Sequence, residues 1–161
     1  MFFSDYSIPW RLEWSEELSM FIPELDAEHQ HLIHLVNQLN DAIIGRMKLE
    51  EIKHRMQAMV DFSAATHFPH EEALLRESGY PAAEEHAQTH ARILLATRRI
   101  IGRFAGNETG YEWIDAALQI KKALLDCLLT EDLKFRDYCL ASGRRPGGHE
   151  HPGGGSPGQP S

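Results

Sequence analysis

Ten of the 161 residues are histidine, and imidazole is the side chain that most often ligates a metal ion. Helical phase, at about 100° per residue, sorts them. His29 falls in line with Ile33, Val36 and Asn40, whereas His31 and His34 lie about 200° and 140° round from it, toward solvent or a helix flank. His67 aligns with Val60, Ser63, Glu71 and Leu74; His70 is about 60° away and is a weaker inward candidate. His86 and His90 share a face one turn apart and lead into Ile93 and Leu94, while His54 is a solvated neighbour of Lys53 and Arg55. A lone histidine on an apolar face is more often an ordinary core residue. Four of them with Glu71 are different, because burying that many unpartnered polar rings costs roughly a few kcal/mol each. A shared metal ion offsets that cost for all of them. The donor set is imidazole plus carboxylate with no Cys-x-x-Cys, which suits iron, manganese or zinc held between helices.

The elements that must position these groups are helices. From Asp26 the residues His29, Leu32, Ile33, Val36, Leu39, Asn40, Ile43 and Ile44 recur at helical spacing until Gly45. A second helix is expected from about Leu49 to Glu77, with Ile52, Met56, Met59, Val60, Ser63, His67, Glu71 and Leu74 on one stripe, stopping at Ser78-Gly79-Tyr80-Pro81. The third starts after Pro81, carries His86, His90, Ile93, Leu94 and Ile101, and frays at Gly106-Asn107. The fourth, from about Tyr111 to Leu140, carries Trp113, Ala117, Ile120, Leu124, Cys127, Leu128 and Phe135. Four long helices on short loops predict an all-α, up-down-up-down four-helix bundle. The expected division is an aromatic, proline-punctuated arm over residues 1–24 that packs on the bundle (Pro9, Trp10, Trp14, Phe21, Pro23), a helical domain over 25–142, and a tail over 143–161. That tail is rich in glycine and proline, contains His149 and His151, and is too polar to offset the entropy of ordering, so it is expected to be disordered.

With 24 acidic against 16 basic residues and a net charge of −8, the chain argues against a nucleic-acid surface, which relies on Lys and Arg to neutralise phosphates. No stretch approaches the roughly 18 apolar residues of a membrane span. The N-terminus has no basic stretch and no long apolar core, so no secretory signal is expected. Cys127 and Cys139 stand twelve residues apart on one expected helix, about 18 Å, against the ~7 Å that a disulfide allows. Two free thiols in a reducing cytoplasm follow, with a bridge between chains left open.

Three motifs in order, Ile22-Pro23-Glu24-Leu25-Asp26-Ala27-Glu28-His29, His67-Phe68-Pro69-His70-Glu71-Glu72, and Gly79-Tyr80-Pro81 followed by His86-x-x-x-His90, resemble the hemerythrins, and most closely the single-domain bacteriohemerythrins. The likeness runs from about Trp14 to Tyr138. It implies a four-helix bundle with two non-haem Fe ions joined by an oxo or hydroxo bridge, binding O2 reversibly. The resemblance matches His29 and His67 to the ligands of the iron that keeps an open position for O2, and His86 and His90 to two of the three histidines on the other. It matches Glu71 to one bridging carboxylate and Asp132 to the second, five residues after the third histidine position. An ideal helix rotates about 140° over five residues, so geometry alone does not choose Asp132, and Glu131 is a rival. Leu124 and Leu128 match the apolar lining of the family's O2 pocket.

This chain departs from the pattern where the third histidine should stand, at Cys127, and the tryptophan usual four residues earlier is Ala123. Three readings of Cys127 stay open: a thiolate replacing imidazole on the second iron, a side chain too short to reach, leaving a position for water, NO or peroxide, or a small buried hydrophobe beside a damaged, mononuclear or empty site. The expected function is O2 storage, delivery or sensing by a binding protein, not an enzyme, with O2 as ligand, no nucleic-acid or membrane partner, and a monomer, with a homo-oligomer left open. The alternatives are a di-iron enzyme reducing peroxide or NO, and an interaction or signalling bundle with an impaired metal site.

Overall fold

A computed structural model describes residues 11–144. The first helix, α1 (Pro23–Ile44), begins with a proline in its first turn, where no intrahelical N–H is needed, and with Glu24 and Asp26 near its positive end. It starts three residues before the expected Asp26. Asp26 also ties down the preceding chain, accepting hydrogen bonds from the Ser19 hydroxyl (2.6 Å) and the Met20 N–H (2.7 Å). Farther along α1, Asn37 exchanges two 2.8 Å bonds with the Leu12 backbone, and Asp41 takes the Arg11 guanidinium at 2.7 and 2.8 Å. Residues 11–22 therefore run along α1. Pro9, Trp10 and the tail beyond Arg144, with its expected disorder and its His149 and His151, lie outside the described residues.

The second rod is α2 (Leu49–Phe62) and α3 (Phe68–Glu77) joined by a single π-helical turn, Ser63–His67. The Phe68 N–H bonds the Ser63 carbonyl, five residues back. Pro69 supplies the cause: it has no N–H and its ring crowds the carbonyl four residues before it, so the ladder widens just ahead of it. The wide turn absorbs one residue and shifts the stripe beyond it. Leu75 is fully buried where the ideal phase expects Leu74, which is half-buried.

The third rod, α4 (Ala83–Gly102), follows a turn at Gly79, which has φ +69°; it ends four residues short of Gly106. The fourth is α5 (Gly110–Asp126), a second π turn over Cys127–Glu131, and α6 (Asp132–Ser142), closed by Gly143 at φ +66°. A reciprocal cap starts α5: the Glu112 N–H bonds Thr109 Oγ1 while the Glu112 carboxylate accepts from the Thr109 N–H. With α1 against α2, α3 against α4, and α5 against α2 and α4, the architecture is an all-α four-helix bundle. No helix among the described residues is long and apolar enough to cross a membrane.

Two apolar clusters fill the bundle. The larger contains Leu32, Val36, Met56, Met59, Phe68, Ile93, Ile120, Leu124, Cys127 and Leu128; the smaller contains Leu25, Leu75, Ala83, Phe135 and Cys139. Each rod crosses from one cluster to the other through a polar residue. His29 stands between Leu25 and Leu32, Glu71 between Phe68 and Leu75, His86 and His90 between Ala83 and Ile93, and Asp132 between Leu128 and Phe135. Ile44, expected on the core face, is instead 58% exposed at the last turn of α1.

Candidate metal centre

The polar layer between the two clusters holds every ligand candidate of the sequence analysis, and all of them are buried: His29, His67, Glu71, His86, His90, Cys127 and Asp132. They form two groups that share one residue. Ligand atoms of His29, His67, Glu71 and Asp132 all lie within 4.8 Å of one another, and so do those of His86, His90, Cys127 and Asp132. Both carboxylates straddle the groups. Glu71 Oε2 is 3.1 Å from His67 Nε2 while Oε1 is 3.3 Å from His86 Nε2. Asp132 Oδ2 is 3.2 Å from His29 Nε2 while Oδ1 is 3.1 Å from His86 Nε2 and 3.7 Å from Cys127 Sγ.

The second π turn is what brings Cys127 and Asp132 together. The Asp132 N–H bonds the Cys127 carbonyl, so a five-residue step nearly closes one turn instead of overshooting it. Glu131, the rival, is half-buried and pairs with Lys134 at 2.8 Å on the rim. His70 is not in either group. Its side chain is 39% exposed and its Nδ1 contacts Glu28. His31, His34 and His54 are exposed, as helical phase predicts. Leu124 and Leu128 are buried in the larger cluster alongside Cys127.

Two participants escaped the sequence analysis. Glu28 Oε2 accepts from His67 Nδ1 (2.9 Å), and Glu72 Oε1 accepts from His90 Nδ1 (2.9 Å). Each leaves the opposite nitrogen, Nε2, for the interior. The signal was present in adjacency, since Glu28 precedes His29 and Glu72 follows Glu71, but neither carboxylate lies on its helix's core stripe.

The field here is strongly negative. Burial works against the charged form of His67, yet Glu28 and Glu71 outweigh it and raise its pKa to about 10. Against the same opposition from burial, Asp132 and Glu71 lift His86 to about 10. Burial alone would raise Asp132, but the imidazoles of His29 and His86 hold it well below the usual carboxylate range. Cys127 is pushed upward by burial and then by Asp132 and Glu71, so without a cation it is a thiol. Protons thus occupy the place where a cation would sit.

The donor set fits metal. Both Glu71 oxygens and both His29 nitrogens are buried and make no hydrogen bond among the described residues, despite the short approaches of the neighbouring rings. His86 Nε2 and His90 Nε2 point at one another across 3.1 Å. Buried orphan acceptors of this kind cost about 1–3 kcal/mol each unless something else binds them. A divalent cation held by these groups would satisfy them.

A family model for the hemerythrin HHE cation binding domain matches residues 20–138. A bacteriohemerythrin of Pseudomonas aeruginosa PAO1 is 28% identical over 102 residues, covering 63% of this chain and 65% of that protein. One from Stenotrophomonas maltophilia is 28% identical over 97 residues (60% and 62%), and one from Campylobacter jejuni 31% over 87 residues (52% and 62%). The matched stretch therefore spans less than two thirds of each relative. The family match reaches all four rods and covers every residue of the two ligand groups, and the chain belongs to the hemerythrin family.

Proposed function

We propose that this protein is an O2-binding di-iron protein whose second iron takes a cysteine where the family pattern has histidine. The observation that carries this reading is the pair of straddling carboxylates. Glu71 and Asp132 each offer one oxygen to the His29/His67 group and the other toward His86, as carboxylates bridging two ions must. His29 and His67 would hold the first iron, His86, His90 and Cys127 the second, with an oxo or hydroxo bridge as the remaining shared ligand. When bound, the iron pair supplies the two electrons that reversible O2 binding draws on.

The chain's own residues do the rest. Glu28 and Glu72 fix the tautomers of His67 and His90, so that each presents an Nε2 lone pair to the interior. Leu124 and Leu128, both buried in the larger cluster with Cys127, would keep that flank of the site apolar and dry. Cys127 Sγ lies in one ligand group with His86, His90 and Asp132, which favours ligation over a thiol that is merely packed. Ligation requires Cys127 to lose its proton, and the cation's charge is what replaces the stabilisation that Asp132 and Glu71 deny the thiolate.

The functional unit in this reading is the bundle over residues 25–142, and of the expected arm over residues 1–24 the described part, residues 11–22, runs along α1. A monomer acting in O2 storage, delivery or sensing in a reducing compartment accords with two free, buried thiols. The test is the absorption spectrum of anaerobically Fe(II)-loaded protein before and after O2, for the wild type and Cys127→His. Reversible spectral change with a sulfur-to-iron charge-transfer band only in the wild type supports the reading. Steady consumption of peroxide or NO without a reversible O2 adduct would replace carriage by catalysis.

A further inference from the structure

The sequence motif supplies one more imidazole than the two ligand groups use. His70 lies three residues after His67, and its Nδ1 meets Glu28 Oε1 at 2.5 Å while Glu28 Oε2 meets His67 Nδ1 at 2.9 Å. Glu28 therefore spans two histidines of α3 and its preceding turn from a position on α1, one residue ahead of the ligand candidate His29. Exposure grades outward along this chain of contacts: the His67 side chain is 2% exposed, Glu28 16% and His70 39%.

We propose that Glu28 is a positioning residue for the first metal ion and that His70 is the latch that holds Glu28 in place. The inference rests on the two-iron reading above. A neutral imidazole has one N–H, and whichever nitrogen carries it cannot ligate. By accepting from Nδ1, Glu28 commits the His67 lone pair to Nε2, which faces Glu71 at 3.1 Å. His29 has no such partner, since both its nitrogens lack a hydrogen bond among the described residues. Among the described residues Glu28 is thus the carboxylate outside the first ligand group that orients one of its histidines, as Glu72 does for His90 in the second.

The latch follows from what a carboxylate does beside a cation. A glutamate with a free oxygen next to a metal site can swing toward the ion and lose its contact with the histidine it orients. His70 occupies Oε1 and leaves Oε2 for His67, so that both oxygens are engaged and Glu28 stays outside the ligand group. The arrangement also ties α1 to the second rod at the level of the site, because α1 provides Glu28 and His29 while the second rod provides His67 and His70.

The test is Fe(II) affinity by anaerobic chelator competition on the full chain, for wild type, Glu28→Gln, Glu28→Ala and His70→Ala, with the melting temperature of each metal-free variant alongside. Glu28→Ala is expected to weaken one of two bound ions by about 10–100-fold. Glu28→Gln, whose amide oxygen can still accept from Nδ1, is expected to recover most of that loss. His70→Ala is expected to fall between wild type and Glu28→Ala at the same ion. Unchanged affinity in Glu28→Ala would overturn the proposal, as would a drop in metal-free melting temperature with no drop in affinity. Equal losses for the Gln and Ala variants would overturn it too, because charge and not the hydrogen bond would then be the agent. If the wild type itself binds fewer than two ions, it is the two-iron reading that fails.

Discussion

Removing one residue from the second π turn should leave the metal centre intact, whereas adding one should destroy it. In a regular helix the five-residue step from Cys127 to Asp132 is about 140° of rotation, so the two side chains diverge. The π turn over Cys127–Glu131 cancels that divergence by absorbing one residue. Deleting the exposed Thr130 makes the step four residues, about 40° in a regular helix, with α5 and α6 still in phase. Inserting an alanine after Thr130 makes it six, about 120° off, and swings Asp132 and the fully buried Phe135 toward solvent. Losing the Phe135 side chain from the core costs roughly 3–5 kcal/mol on its own, and the buried His86 loses a carboxylate 3.1 Å away. Thermal unfolding of the metal-free proteins and iron per chain after anaerobic loading read both effects. The deletion should melt close to wild type and keep its iron, while the insertion should melt far lower and lose it. A deletion that abolishes iron binding, or an insertion that keeps it, would refute the claim that the π turn works by cancelling one residue of helical phase between Cys127 and Asp132.

Further expectations concern pH, packing and metal. His67 and His86 are raised to about 10 in the metal-free fold against about 6.5 unfolded, so their stabilisation is complete below pH ~6.5 and is lost as pH rises toward 10. The slope is at most about 1.4 kcal/mol per pH unit for each histidine, and urea unfolding of chelated protein between pH 6 and pH 10 should show stability declining; a flat or rising profile would contradict the assignment. At the acid end the lowered Asp132 contributes stability above its unfolded pKa, and this is lost as pH falls. Leu128→Ala, at a site 2% exposed, should cost about 2–5 kcal/mol by denaturant titration. Chelation should lower the melting temperature of loaded protein by roughly 5–11 °C relative to metal held at a hundred times its dissociation constant; an unchanged value would make the ligand groups mere packing.

Helical phase was enough to read the bundle and five of the ligand candidates, because His29, His67, His86 and His90 sit on regular segments or at the edge of one and Glu71 follows His67 by one α-helical turn. It misplaced Leu74 against Leu75 and offered no reason for Asp132, since both lie beyond a π turn and a constant rotation per residue fails there. Pro69 was a legible cause of the first such turn. No comparable residue marks the second, and only the resemblance pointed to Asp132. Glu28 and Glu72 were hidden for another reason: they flank the core stripe and act through the far nitrogen of a ligand candidate, a relation between rods that one helix's periodicity does not contain. Lys121, fully buried with its Nζ 3.1 Å from Asn40 Oδ1, was likewise invisible, because a lysine on an apolar stripe reads as a flank.

The central claim is that Glu71 and Asp132 bridge two ions, one of them held by Cys127. Its most direct measurement is the iron content per chain after anaerobic Fe(II) loading and removal of unbound metal. Two irons per chain are predicted for the wild type; a value well under two would contradict the account.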